Sequence, residues 1–226
     1  MNESQCMARL LASAVHDMRN VLAVIRESAG LAQDLAALAA REGGAARHER
    51  LATALSEVQR AVVQGAALAE GMDHMAQAGG AESADSAGPC DLARVCRTFC
   101  LLAARHARAA QIKLEYRETE EPVWAPVPAL AVLRALLEVF DLCASVGGQV
   151  TLRFAAGQRQ KEEGIIVEVT EGPNREMAFS VMTGSPLLDG LRPGWRAALM
   201  PWRDAGQRFF LSIGVFHNKS TLFLRG

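Results

Sequence analysis

LASAVHDMRNVLAVIRESAGLA, residues 11–32, carries apolar side chains at Leu11, Val15, Met18, Leu22, Ile25, Ala29 and Ala32. The steps between them alternate four, three, four, three. That is the heptad spacing of a helix lying nearly parallel to a neighbour. No proline precedes Pro89, and Gly43-Gly44 interrupts the pattern. Glycine favours the position just past a helix end, so the pair is a stop. The spacing predicts one helix over about residues 4–41. A second seam at Leu51, Leu55, Val58, Val62, Ala69 and Met72 predicts another over about residues 46–77. Together they make a long antiparallel hairpin. An isolated hairpin leaves an apolar stripe uncovered on each helix. A second copy of the chain would cover both stripes in a dimeric four-helix bundle; the C-terminal half is the alternative cover.

Downstream the pattern changes. GGAESADSAGP, residues 79–89, is small, polar and aperiodic, as a linker is. It separates a hairpin unit at residues 1–78 from a second unit at residues 90–226. In the second unit, 91–109 and 129–146 read as helices, with Asp91 as an N-cap. Residues 112–117, 149–155 and 165–170 read as strands, and 178–182 as a short one. Residues 186–205 read as a helix disturbed by Gly190, Pro193 and Pro201. A final hairpin joins 209–215 to 220–224 around His217-Asn218-Lys219. The fold class is α+β: a helical hairpin followed by a two-layer α/β sandwich.

Composition narrows the function. The 226 residues carry 24 Lys and Arg against 25 Asp and Glu, and only 5% are aromatic. A near-neutral, aromatic-poor chain lacks the basic face and stacking platforms of a nucleic-acid binder. The N-terminus has no basic region followed by an apolar one, and the most apolar stretch, 129–146, contains Arg134, Glu138 and Asp141. Neither export nor membrane insertion is expected, and the expected location is the cytoplasm. Five cysteines without a CxxC pair read as small buried hydrophobes, with no metal site.

Chemistry concentrates at His16. With Val15 and Met18 on the seam, His16 falls at heptad position b, Asp17 at c and Asn20 at f, one turn further on. Ser13, His16, Asp17, Asn20 and Glu27 would then share a polar surface on an apolar helix. An exposed neutral imidazole can attack phosphorus. An adjacent carboxylate can orient the ring or take its proton, and the amide can hold water or a phosphoryl oxygen. The same residues also make an ordinary solvated helix face. His48, His74 and His106 read as surface residues, and the cluster Arg105, Arg108 and Lys113 as a solvated helix end.

His16-Asp17-Met18-Arg19-Asn20-Val21-Leu22 resembles the H-box of bacterial sensor histidine kinases, in which His-Asp/Glu-x-x-Asn lies on a long helix. The resemblance implies a dimerisation and histidine-phosphotransfer hairpin with His16 as phosphoacceptor. The second half is similar in layout to the ATPase domain of those kinases. There Glu138 falls near the first asparagine-box position, Leu142 takes the place of the metal-binding asparagine, and Glu171 that of the adenine-recognising aspartate. Leucine offers a metal no oxygen, and kinase chemistry needs a metal to offset triphosphate charge. No cofactor is therefore expected on this chain.

The combination resembles stand-alone histidine phosphotransferases built like a degenerate sensor kinase. That likeness implies a homodimer passing phosphoryl groups between receiver-domain aspartates of a phosphorelay. His16 would be the nucleophile and Asp17 its orienting carboxylate. Arg19 would stabilise developing phosphoryl charge, and Asn20 would position a water. Mg2+ would belong to the receiver partner. Two other functions fit the same residues: a non-catalytic, pseudokinase-like dimer that regulates a kinase or response regulator, and a soluble histidine kinase with an eroded nucleotide site.

Overall fold

The computed structural model describes residues 2–42, 45–79, 89–160, 162–184, 187–192, 195–201 and 208–215. Helix α1 (Glu3–Glu42) and helix α2 (Ala45–Gly79) form the hairpin. The start of α1 is fixed by a reciprocal cap. Asn2 Oδ1 accepts from the Gln5 N–H at 2.8 Å, and Gln5 Oε1 accepts from the Asn2 N–H at 2.9 Å.

The helices meet along a line one residue away from the expected seams. On α1 this line runs through Leu10, Ala14, Asp17, Val21 and Ser28, with Cys6, Ser13, Leu35 and the expected Ala32 also buried, and on α2 the buried side chains are Ala54, Ala61, Leu68 and Met75. The α2 positions are spaced by seven throughout. Small residues dominate this line because the backbones approach closely. A Cβ on Gly65 would lie 3.0 Å from Val21 Cγ1. Of the expected seams, Leu11, Met18, Ile25 and Met72 are partly buried against the apolar clusters, whereas others face outward. Leu22 is 57% exposed, Leu55 54% and Val62 51%.

The chain then forms β1 (Cys90–Asp91), α3 (Leu92–Leu102) and α4 (Ala104–Ala109). Asp91 caps α3, with Oδ1 accepting from the N–H groups of Ala93 and Arg94. The helix expected over 91–109 is divided at Ala103, whose backbone (φ −85°, ψ −2°) re-aims its last six residues. Next come β2 (Lys113–Tyr116), β3 (Trp124–Ala125), α5 (Ala129–Ser145), β4 (Thr151–Arg159) and β5 (Glu162–Val169). Helix α6 (Arg175–Gly184) and strands β6 (Leu187–Arg192), β7 (Trp195–Pro201) and β8 (Arg208–Val215) complete the described chain.

Two expectations fail here. Residues 178–182 are helical because Ala178 and Met182 share a face under both a strand period of two and a helical i,i+4 step. Residues 186–205 hold two strands rather than a helix. Gly190, Pro193 and Gly194 oppose a helix, and pairing to β8 fixes β7, with Leu199 opposite Leu211. The expected strand 220–224, the His217-Asn218-Lys219 turn and the 79–89 linker apart from Gly79 and Pro89 lie outside the described residues.

One mixed six-stranded sheet, ordered β2-β4-β5-β8-β7-β6, has only the β2–β4 pair parallel. Helices α3, α5 and α6 cover one face. Phe99 of α3 meets Phe154 of β4 edge-on at 5.6 Å, and Phe179 of α6 meets Phe209 of β8 at 4.8 Å. The other face carries a charge ladder. Arg153 binds Glu115 at 2.8 Å and Glu168 at 3.5 Å, and Glu168 also pairs with Arg208 at 2.6 Å. Residues directly opposite across four strands thus alternate in sign.

One apolar cluster joins the two halves, and a smaller one around Val21, Ala61 and Leu68 lies along the hairpin. Cys6, Leu10 and Ala14 of α1 and Met75 of α2 belong to the same buried cluster as Phe99, Phe140 and Phe154. At this end of the hairpin the C-terminal half supplies the cover. Among the described residues no helix is long and apolar enough to cross a membrane.

Candidate functional site

His16 sits in the second quarter of α1, with its side chain 46% exposed, whereas Asp17 beside it is 7% exposed. The difference follows from register. Asp17 occupies the inner line of the hairpin, four residues before Val21 and three after Ala14. The expectation of a wholly polar outer surface is therefore corrected: Ser13 and Asp17 are buried, and Ser13 Oγ finds no hydrogen-bond partner among the described residues.

Two groups approach His16 Nδ1. Asp17 Oδ1 lies 3.5 Å away and Asn20 Nδ2 lies 3.2 Å away. Both flank the same ring nitrogen, which leaves Nε2 as the nitrogen available to a reactant. Asp17 is held in turn by Arg108 of α4, whose Nη2 donates to Oδ1 at 2.9 Å. Helix α4 is itself tied to α1, because His106 Nε2 lies 3.1 Å from the Arg9 carbonyl oxygen and donates to it.

His16, Asp17 and Asn20 open onto a cleft of about 790 Å³ between α1, α2 and α4. Glu27 of α1, Glu57 and Arg60 of α2 and Arg105 and Arg108 of α4 also line it. In this concave surface of mixed charge, the guanidinium groups nearest an accessible imidazole can meet an anionic group. Arg19 does not belong to this constellation; it is exposed on α1 and is not among the residues lining the cleft.

Arg105 and Arg108 are the functional candidates that sequence reasoning missed. Their charge was visible, but nothing in local spacing brings residue 108 to residue 17. Lys113, assigned to the same cluster, instead pairs with Glu115 at 2.8 Å on β2. His74 and His106, expected at the surface, are both engaged; His74 Nδ1 lies 3.0 Å from Thr98 Oγ1.

The α5 face that resembles an asparagine-box helix is committed elsewhere. Glu138 pairs with Arg134 at 3.4 Å, and burial pushes its carboxyl upward. Asp141 takes the Arg9 guanidinium at 2.7 Å, and that guanidinium also lies over the Phe140 ring. Leu142 adds no oxygen to this face. The buried cysteines are thiols rather than thiolates. Burial pushes Cys143 up to about 12 and raises Cys96 well above its usual value.

No protein-family model matches the chain, and no curated protein matches it. Among solved structures, the Acinetobacter baumannii histidine kinase AdeS is similar at 10% identity and a TM-score of 0.35, over 86% of this chain and 97% of that one. Full-length ShkA, solved in complex with AMPPNP, is similar at 13% identity and a TM-score of 0.35. That match covers 85% of this chain and 45% of the ShkA chain.

Proposed function

We propose that this chain is a histidine phosphotransferase of two-component signalling that carries a phosphoryl group on His16. The observation that supports this most is the geometry at His16: Nδ1 is flanked by a buried carboxylate, and the ring opens onto a cleft of mixed charge in which Arg60, Arg105 and Arg108 stand beside Glu27 and Glu57. In the step proposed, the Nε2 lone pair attacks the phosphorus of a receiver's aspartyl phosphate. The P–N bond forms, the P–O bond to the receiver carboxylate breaks, and that carboxylate leaves with the electron pair. The imidazole becomes an imidazolium, with its positive charge facing Asp17. A second receiver aspartate reverses the step. Mg2+ acts from the receiver's side.

The transfer needs no nucleotide on this chain, in keeping with Leu142 and the committed carboxylates of α5. The protein works as a homodimer. Val15, Leu22, Leu55 and Val62 form an exposed apolar stripe along both helices, at the heptad spacing a second hairpin would cover.

The experiment mixes the chain with receiver domains carrying radiolabelled aspartyl phosphate. Acid-labile label is expected on the wild type within minutes and none on His16→Ala. Loss of receiver phosphate with equal speed in both proteins, without label on this chain, overturns the phosphohistidine step.

A further inference from the structure

We infer that Arg108 is a positioning residue of the His16 site, so that the α/β half completes in cis a site otherwise carried by the hairpin. The inference rests on His16 being the phosphoacceptor. It starts from a conflict at Nδ1. The amide N–H of Asn20 asks for a lone pair on that nitrogen, whereas the carboxylate of Asp17 asks for a proton on it. The two requests select opposite tautomers. Only the Nδ1–H tautomer leaves Nε2 with the lone pair that attacks phosphorus. The amide can turn over and accept instead of donate, without changing its shape. The ionised carboxylate only accepts. Asp17 therefore decides the tautomer, provided its oxygen stays where it is.

Arg108 keeps it there. A carboxylate in the closed line of the hairpin gains little from water, and an unpaired charge in such a place is costly. Turning out toward solvent would relieve that cost but remove Oδ1 from the ring. The guanidinium at 2.9 Å supplies the compensation from the other side of the same oxygen. Arg108 cannot be replaced by a neighbour on α1, because the inner line around Asp17 is apolar or small: Ala14, Val21 and Ser13. Its own anchorage is built from α/β residues. His106, two residues away, bonds the Arg9 carbonyl, and the Arg9 side chain is fixed to Asp141 of α5. Other charges face the cleft, namely Glu27 of α1, Glu57 and Arg60 of α2 and Arg105 of α4, but Arg108 is the one in contact with Asp17.

The test uses the full chain and reads two quantities. Long-range ¹H–¹⁵N spectra, with His16 assigned by its absence in His16→Ala, report the ring tautomer in the neutral imidazole. The wild type is expected to hold mainly Nδ1–H. Arg108→Ala is expected to move the ring toward Nε2–H and slow phosphohistidine formation roughly 10-fold. Arg108→Lys should restore much of both, since an ammonium still reaches the carboxylate. In an Asp17→Asn background, Arg108→Ala should add nothing further to the tautomer shift. Arg108 is 65% exposed and Asp17 7%, so its loss leaves Asp17 to turn toward solvent; a folded protein with a modest fall in melting temperature is expected. An unchanged tautomer and unchanged rate in a folded Arg108→Ala protein would overturn the inference. A tautomer shift in a protein whose wild type never takes label would instead overturn the phosphoacceptor reading and leave the positioning role standing.

Discussion

Burial and a neighbouring guanidinium both favour a neutral imidazole, and His74 meets the two together. It lies half-buried where α2 packs on α3, beside Thr98 and within the field of Arg94. Desolvation first, then Arg94, lower its pKa from the ordinary 6.5, while Asp91, Asp73 and Glu70 oppose the shift. A lowered value means the unfolded chain takes up a proton before the folded one does. Stability from this residue is therefore present above about pH 6.5 and is lost as pH falls from there toward the folded value. The melting temperature of the wild type is expected to fall more between pH 7.5 and 5.5 than that of His74→Gln. Equal falls in the two proteins would show that His74 titrates alike in both states. The residue scale also shows where a sequence can mislead. His16 was legible as a candidate because its motif is contiguous. The burial of Asp17 was not, because it depends on which of two adjacent stripes the hairpin closes over.

That choice is made at the scale of the element. Helix α1 carries two apolar stripes one residue apart: one through Leu10, Ala14 and Val21, and a bulkier one through Leu11, Val15, Met18, Leu22 and Ile25, of which Val15 and Leu22 stay exposed. Heptad reading finds the bulky stripe first, because larger side chains weigh more in any hydropathy pattern. Packing inside the hairpin takes the small stripe, because Ala54, Ala61 and Gly65 on α2 allow a closer approach and more contact per residue. Both helices were thus legible in length and pairing but not in rotation. The misread rotation has a use: it identifies the stripe left over for a second copy. Leu22→Lys combined with Val62→Lys places two charges per chain on that stripe without touching the buried line. The wild type is expected to sediment at twice its 24.2 kDa chain mass, and the double variant at the single mass with unchanged helical circular dichroism. A wild type that sediments as a monomer at every concentration would remove the four-helix bundle.

For the whole molecule, the decisive feature is that one end of the hairpin shares a core with the sheet. Sequence reading separated them at a small, polar linker, and that composition shift is real in the chain. Whether two segments share a core is decided by long-range contacts, which leave no local signature. Leu10 is fully buried, and its neighbours in the cluster include Val95 and Phe99 of α3 and Leu133 and Phe140 of α5. Arg9, next to it, spans to Asp141, and His106 returns a bond to α1. Breaking the hairpin away would expose this apolar surface and break the half-exposed Arg9–Asp141 ion pair, so the two halves should unfold together. Leu10→Ala tests this, because it removes apolar contacts at the junction alone. It is expected to cost about 2–5 kcal/mol and to lower the melting temperature equally by two probes. Far-UV circular dichroism weights the long helices. Tryptophan fluorescence weights the second half, since Trp124, Trp195 and Trp202 all lie there. Coincident transitions in both proteins, displaced together by the substitution, are the signature of one cooperative unit. If fluorescence kept the wild-type midpoint while the helical signal moved, the halves would be separate, and α4 could not hold Arg108 against Asp17 by shared packing.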